Sequence, residues 1–364
     1  MNMESIFRGD RLKLKIYGES HSETIGVYID GLPEGVTPDE EFAQKFMQRR
    51  APGRNAWSTP RKEPDTPVFE KEGSTLHAYI VNTNTKPKDY ASIMNKPRPS
   101  HADYTAPMIY GGQAAVSGGG IFSGRMTAPL CMAGAIALNE LSKMGVKIYA
   151  HLKSIGDISD DNYFDNGVND ESYKNALSKV QVKDFPCVDD KKAEQMKDLI
   201  AKAREDLDSV GGVIECVVYG LPEGLGGPLF GGIEGKISSL VFAVPAVKGI
   251  EFGNGFEGSR LRGSENNDPF MFDESGRIRL KTNHSGGILG GISVGEAAPV
   301  VFSCAMKPTP SIGREQETVD IKEKVNTTLK IEGRHDPCIA PRAVPVIEAA
   351  CALAIYDMIL TREE

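Results

Sequence analysis

Apolar positions recur at helical spacing over residues 126–144, 191–207 and 344–360, and each stretch predicts a helix with a buried face. Gly145 closes the first and Gly211-Gly212 the second. A further helix over 38–50 follows from Thr37-Pro38-Asp39-Glu40, which has the form of a capping box with proline at the first helical position. Ala51-Pro52-Gly53 ends it, so Arg49 and Arg50 stand in the last turn, where cations oppose the helix dipole. Alternating or β-branched runs predict strands over 24–29, 76–81, 213–219, 291–294 and 299–305.

The pattern contains an echo. Gly31-Leu-Pro-Glu-Gly35 follows one predicted strand and Gly220-Leu-Pro-Glu-Gly224 follows another, 189 residues later. The shared strand-then-turn context predicts two related halves packed as one unit. No low-complexity linker separates them, so the expectation is a single domain over 1–364. The polar stretches 155–192 and 253–284 read as long surface excursions; the second either folds over a ligand or stays a surface loop.

Composition narrows the function classes. Of 364 residues, 40% are hydrophobic and 25% charged, ordinary usage for a chain that folds on its own core. A net charge of −8 argues against non-specific nucleic-acid binding, which needs a dense basic face. An anionic ligand must therefore meet a local cluster, such as Arg49, Arg50, Arg54, Arg61 and Lys62, which otherwise is a solvated helix end. The six cysteines form no CxxC pair, which fits a reducing cytoplasm and predicts no metal centre of that type. The N-terminus has no apolar signal segment, and the longest apolar run, 128–138, is too short to span a bilayer, so no membrane partner is expected.

Three histidines sit among small, charged or turn-forming neighbours: His21, His101 and His335. Each suits proton transfer near neutral pH and each also suits a structural hydrogen bond. No His-x-x-x-His spacing supports a metal. The glycine runs at 118–120 and 286–291 permit close backbone approach to a phosphate or a flat ring, or simply make tight turns; neither matches the dinucleotide fingerprint. Lys307-Pro308-Thr309-Pro310-Ser311 offers an ammonium and two hydroxyls on a stiffened backbone, or a strand terminator.

Taken in order, the motifs resemble the chorismate synthase family across almost the whole chain. They are Gly18-Glu-Ser-His21, Arg49-Arg-Ala-Pro-Gly53, Arg98-Pro-Ser-His-Ala-Asp103, Gly118-Gly-Gly120 through Arg125 and Thr127, Ala246-Val-Lys-Gly-Ile-Glu-Phe-Gly253, the 283–293 segment, Lys307 to Ser311, Gly333-Arg-His-Asp-Pro-Cys338 and Pro341-Arg-Ala-Val-Pro345. This chain departs from the family's pattern at Ser22 and Ser100, which replace glycines, at Ala56 and Pro245, and over 121–126, which lacks an arginine, a serine and a glutamate.

The resemblance implies an α+β fold in which antiparallel β-sheets are sandwiched with helices, with internal pseudo-duplication, assembled as a cytoplasmic homotetramer. It implies a lyase of the shikimate pathway for aromatic amino-acid biosynthesis, which eliminates phosphate from 5-enolpyruvylshikimate 3-phosphate with reduced FMN (FMNH2) and no net redox change. NADPH remains open as the reductant, and a divergent non-catalytic paralogue that binds flavin or an anion is the alternative. Catalytic roles fall to His21, His101 and Asp336. Substrate binding falls to Ser20, Arg50, Arg54, Arg125 and Arg334. The FMN site is implied at Ser123, Pro245, Ala246, Gly290, Lys307, Pro308, Thr309, Pro310, Ser311 and Arg334.

Overall fold

The computed structural model describes residues 5–53, 64–82, 95–111, 119–331 and 336–362. Two five-stranded antiparallel sheets carry the architecture. The first runs β1-β2-β3-β5-β4, from β1 (Ser5–Arg8), β2 (Lys13–Tyr17), β3 (Thr24–Asp30), β4 (Val68–Glu72) and β5 (Thr75–Val81). The second draws on β6 (Lys147–Ile155), β7 (Ile158–Ser159), β8 (Gly212–Tyr219) and β9 (Val247–Phe252). Beyond two small hairpins, β10–β11 (Phe270–Phe272 with Ile278–Leu280) and β12–β13 (Ile288–Leu289 with Ile292–Ser293), β14 (Val300–Met306) completes the order β7-β6-β8-β14-β9.

Helices fill the space between. Besides α1 (Glu40–Arg50) and the short α2 (Ala106–Tyr110), the central layer holds α3 (Thr127–Lys143), which packs on β3 and β5. On its other side lies the C-terminal helix Ala340–Arg362, which packs on β6 and β8. Their crossing is close: a Cβ built on Gly134 would lie 2.3 Å from Ala349 Cβ, so only glycine fits there. The C-terminal helix is long and apolar enough to cross a membrane, yet its most apolar stretch is wholly buried in this fold. Its Asp357, 2% exposed, accepts the backbone N–H groups of Asp10, Arg11 and Leu12 at 2.9, 2.9 and 2.6 Å and so clamps the β1–β2 turn to the helix layer.

The echo has a structural meaning. Gly31 and Gly220 both have positive φ, +87° and +76°, at the end of β3 and β8. A side chain on Gly31 would strike the carbonyl of Arg11, just before β2; one on Gly220 would strike that of Gly145, just before β6. The flanking registers correspond as well, Lys13 opposite Asp30 and Lys147 opposite Tyr219. Each half thus builds a strand pair, a glycine turn and a helix, α1 in one and Ile233–Val241 in the other.

Several sequence expectations need correction. Helix α1 starts at Glu40, because Asp39 caps it by accepting from Phe42 N at 2.9 Å; Thr37 does not serve as the cap. The C-terminal helix begins at Ala340, because Pro341 lies in the first turn, where no N–H is needed, and Pro345 is accommodated inside it. The stretch 155–192 is no loose excursion: it contains the helix Glu171–Val180, and Tyr163, Tyr173 and Leu177 bury themselves against Val217 and Val301 on the second sheet. Beneath them His151, wholly buried, lies 3.3 Å from Asp160 and 3.2 Å from Glu215. The 253–284 stretch is largely exposed, with two single-turn helices and the β10–β11 hairpin.

Candidate active site

A cavity of about 330 Å³ opens between the ends of the two sheets' connections, a size usual for small-molecule sites. Among the described residues, seven separate segments wall it. Ser20 comes from the β2–β3 loop, Arg50 from the last turn of α1, and Arg98 to Ala102 from the turn before α2. Phe122 to Arg125 precede α3, Val244 to Ala246 precede β9, Met306 ends β14, and Lys307 and Thr309 to Ser311 follow it. Asp336, Ile339 and Arg342 approach from the start of the C-terminal helix. Among the described residues five cations, Arg50, Arg98, Arg125, Lys307 and Arg342, face one lining carboxylate, Asp336, so the cavity attracts anions although the chain is acidic overall.

The cations are held, not floating. Arg50, 2% exposed, donates to Thr127 Oγ1 at 3.0 Å, to the Gly124 carbonyl at 3.2 Å and to Asp65 Oδ2 at 2.5 Å. Arg125 donates to the other oxygen of Asp65 and, from Nη2 at 2.9 Å, to Asn82. Asp65 itself is fully buried. Arg342 pairs with Asp336 at 2.5 Å and donates to the Arg50 carbonyl at 3.1 Å; burial pulls its guanidinium below the ordinary value, and Asp336 opposes that. Arg49 points elsewhere, in a two-point pair with the buried Glu348 at 2.5 and 3.0 Å, beside a second cavity of about 590 Å³.

His101 lies on the cavity wall with Nδ1 2.7 Å from Asp103 Oδ1. Burial raises the Asp103 carboxyl, but hydrogen bonds from Arg98 and His101 outweigh it and hold the group well below the usual carboxylate range. The other edge of the imidazole faces the Gly119 turn, where an added Cβ would stand 3.3 Å from Nε2. Lys307 reaches across to the Ser100 carbonyl at 2.6 Å. Its ammonium is pushed down, first by burial and then by Lys248. Ser100 has φ +58°, so this chain places a side chain on a left-handed turn that favours glycine.

The cavity suits a partly apolar, anionic ligand. Val244, Ala246, Met306, Ile339 and Val346 give one apolar wall, and Ala246, at φ +76°, bends its backbone so that its carbonyl accepts Lys307 N at 2.9 Å. Thr309 Oγ1 is buried on this wall without a protein hydrogen-bond partner, a polar atom that a bound group would satisfy.

Of the residues singled out in the sequence, Ser20, Arg50, Ser123, Arg125, Pro245, Ala246, Lys307, Thr309, Pro310, Ser311, His101 and Asp336 converge on this cavity. His21 follows Ser20 with its ring nitrogens shielded from solvent but is not part of the lining. Pro308 is likewise adjacent to the lining, and Gly290 stands apart at the exposed tip of the β12–β13 hairpin, where its φ of +64° makes a two-residue turn with Gly291. Arg54, Arg334 and His335 lie outside the described residues. Sequence reasoning missed Asp65, Asn82 and Arg342 as partners of the site, and the role of Asp103. The only signal for Asp103 was its place in the Arg98 to Asp103 motif.

A cationic cavity with an imidazole on its wall and an apolar face defines an enzyme for an anionic small molecule. The family model described as Chorismate synthase matches residues 12–360. A chorismate synthase of Lancefieldella parvula is 43% identical over 98% of this chain and 96% of its own length, and one of Methanococcus aeolicus is 41% identical over 97% and 96%. A solved structure titled Crystal Structure of Chorismate Synthase superposes with a TM-score of 0.74 at 25% identity, covering 98% of this chain and 93% of that one. The chain belongs to the chorismate synthase family.

Proposed function

We propose that this chain converts 5-enolpyruvylshikimate 3-phosphate to chorismate and inorganic phosphate, a carbon–oxygen lyase step of the shikimate pathway, and does so with reduced FMN. Membership of the family supports the reaction. The observation that carries the site assignment is the convergence of His101 and five cations on one cavity.

Arg50 and Arg125, both held by Asp65, present planar guanidinium groups at the cavity wall, a shape that suits the substrate's phosphate and carboxylates. Arg54 and Arg334 join them by family correspondence. Lys307, Thr309 and Ser311, with Ser123, Pro245 and Ala246, hold the flavin, the unpartnered Thr309 hydroxyl supplying a hydrogen bond. Bound there, reduced flavin would supply transient electron density to the breaking phosphoester bond and an acceptor for the ring hydrogen, with no net redox change. His21 gives its proton to the departing phosphate oxygen. His101 would keep the pyrimidine end of a bound cofactor correctly protonated, and Asp336, held by Arg342, would relay a proton at the cavity's helix side.

The chain works as one domain and, as the family reading has it, as a cytoplasmic homotetramer. Phe230, Phe256, Phe270 and Phe272 lie 95, 76, 64 and 71% exposed, which supports burial of such surface between subunits. An anaerobic assay with chemically reduced FMN tests the function: release of phosphate matched by chorismate supports it, and FMN binding without turnover contradicts it. An aerobic assay with NADPH and oxidised FMN tests whether this chain reduces its own flavin.

A further inference from the structure

Asp103 engages Arg98 with both carboxylate oxygens and shares one of them with His101. Oδ2 accepts from Arg98 Nε at 2.6 Å and from the Arg98 backbone N–H at 3.1 Å, while Oδ1 accepts from Arg98 Nη2 at 2.8 Å. The same Oδ1 lies 2.7 Å from His101 Nδ1. A carboxylate oxygen at that distance accepts a proton-bearing nitrogen, because a ring lone pair there would face it with like charge. The 3.1 Å between Arg98 Nη2 and His101 Nδ1 is then the spacing of two donors on one acceptor. Arg98 is anchored again by donating from Nη1 to Ser311 Oγ at 3.1 Å, in the segment between β14 and the next strand. Both Arg98 and Asp103 are buried, at 5 and 8% exposure.

We propose that Asp103, locked in place by Arg98, is a positioning residue that fixes His101 with its proton on Nδ1 and leaves Nε2, at the Gly119 turn, as the nitrogen that exchanges protons with bound ligand. Among the described residues, the charged groups around the ring are Asp103 and Arg98 on its own segment and Lys307 from the segment after β14, whose ammonium is bonded to the Ser100 carbonyl next door. A neutral His101 is therefore a proton acceptor at Nε2, and a protonated one is a donor there, with Asp103 supporting the imidazolium in either cycle. The inference rests on the proposed role of His101, but its first test does not depend on turnover.

That test is long-range nitrogen–proton NMR of the intact protein labelled in histidine, with His101→Gln used to assign the resonance. The expected neutral form carries its proton on Nδ1; a neutral His101 protonated on Nε2 overturns the proposal. The second test is Asp103→Asn, with Asp103→Glu as the conservative rescue. Asp103→Asn is expected to mix the tautomers and cut kcat by about 10- to 100-fold while KM moves less, with partial recovery in Asp103→Glu. A folded Asp103→Asn protein with kcat within about twofold of wild type and an unaltered tautomer overturns it. Should Asp103→Asn fail to fold, the wild-type tautomer decides alone. Absence of chorismate formation by the wild type refutes the proposed function and leaves the tautomer result standing.

Discussion

Arg50 and Asp65 form an ion pair, 2.5 Å apart, in which both side chains are sealed from solvent, and the second oxygen of the same carboxylate takes Arg125. An acid inside a cavity built to receive anions has a physical reason. Two guanidinium groups brought together without a counter-charge would repel and turn away, so Asp65 sets the spacing at which both line the cavity.

Replacing Asp65 with Ala is therefore expected to strand two buried cations and lower stability by about 3 kcal/mol or more, read by urea denaturation. The milder Asp65→Asn is expected to keep the fold and raise KM for the phosphorylated substrate roughly 10-fold, a charge-assisted contact being lost from each arginine. An unchanged KM in a folded Asp65→Asn protein would contradict the positioning role.

Ser100 provides a prediction of opposite sign. With φ at +58°, its side chain strains a turn whose carbonyl is already held by Lys307, so Ser100→Gly is expected to stabilise the protein by about 0.5–1 kcal/mol. A lower midpoint of thermal unfolding in that variant would show that the serine hydroxyl contributes more than the strain costs.

The helix layer has its own test. Gly134→Ala introduces a methyl group 2.3 Å from Ala349 Cβ, where neither helix can retreat without losing contact with its sheet. The expected cost is about 2 kcal/mol, measurable by chemical denaturation, and a neutral result would mean the two helices are packed less closely than described.

His151 links stability to pH. Burial pulls the imidazole down, but hydrogen bonds with Asp160 and Glu215 outweigh it and hold the pKa at about 9. Since the folded value lies above that of the unfolded chain, the stabilisation is fully present below about pH 6.5 and is lost as pH rises through 9. Both carboxyls are lowered in return, so their contribution vanishes on acidification instead. A His151→Gln protein should lose less stability than wild type between pH 6.5 and 9; parallel curves for the two would rule out a charged His151.

The central helices and strands were legible because their burial is one-sided or complete, and such burial leaves a periodic trace: 126–144, 191–207, 24–29 and 213–219 all fall within a residue or two of α3, the Asp190–Glu205 helix, β3 and β8. The repeated glycine pentapeptide was legible for a different reason, since both copies meet a carbonyl that admits no side chain. The segment 155–192 was not, because Tyr163 and Tyr173 cover a sheet with large, hydrogen-bonded side chains among many charges, and mean polarity hides their burial. At the site, His101, Arg50, Arg125 and the 307–311 segment were found through their motifs. Asp65 was not, as a carboxylate that serves two arginines from a distant loop has no periodicity to betray it.

One measurement tests the reaction most directly. Enzyme, reduced FMN and 5-enolpyruvylshikimate 3-phosphate are mixed without oxygen, and the flavin spectrum is followed together with phosphate and chorismate. The predicted result is equimolar phosphate and chorismate over many turnovers with the flavin still reduced at the end. Flavin left oxidised in proportion to product, or substrate left intact beside saturating reduced FMN, would contradict it.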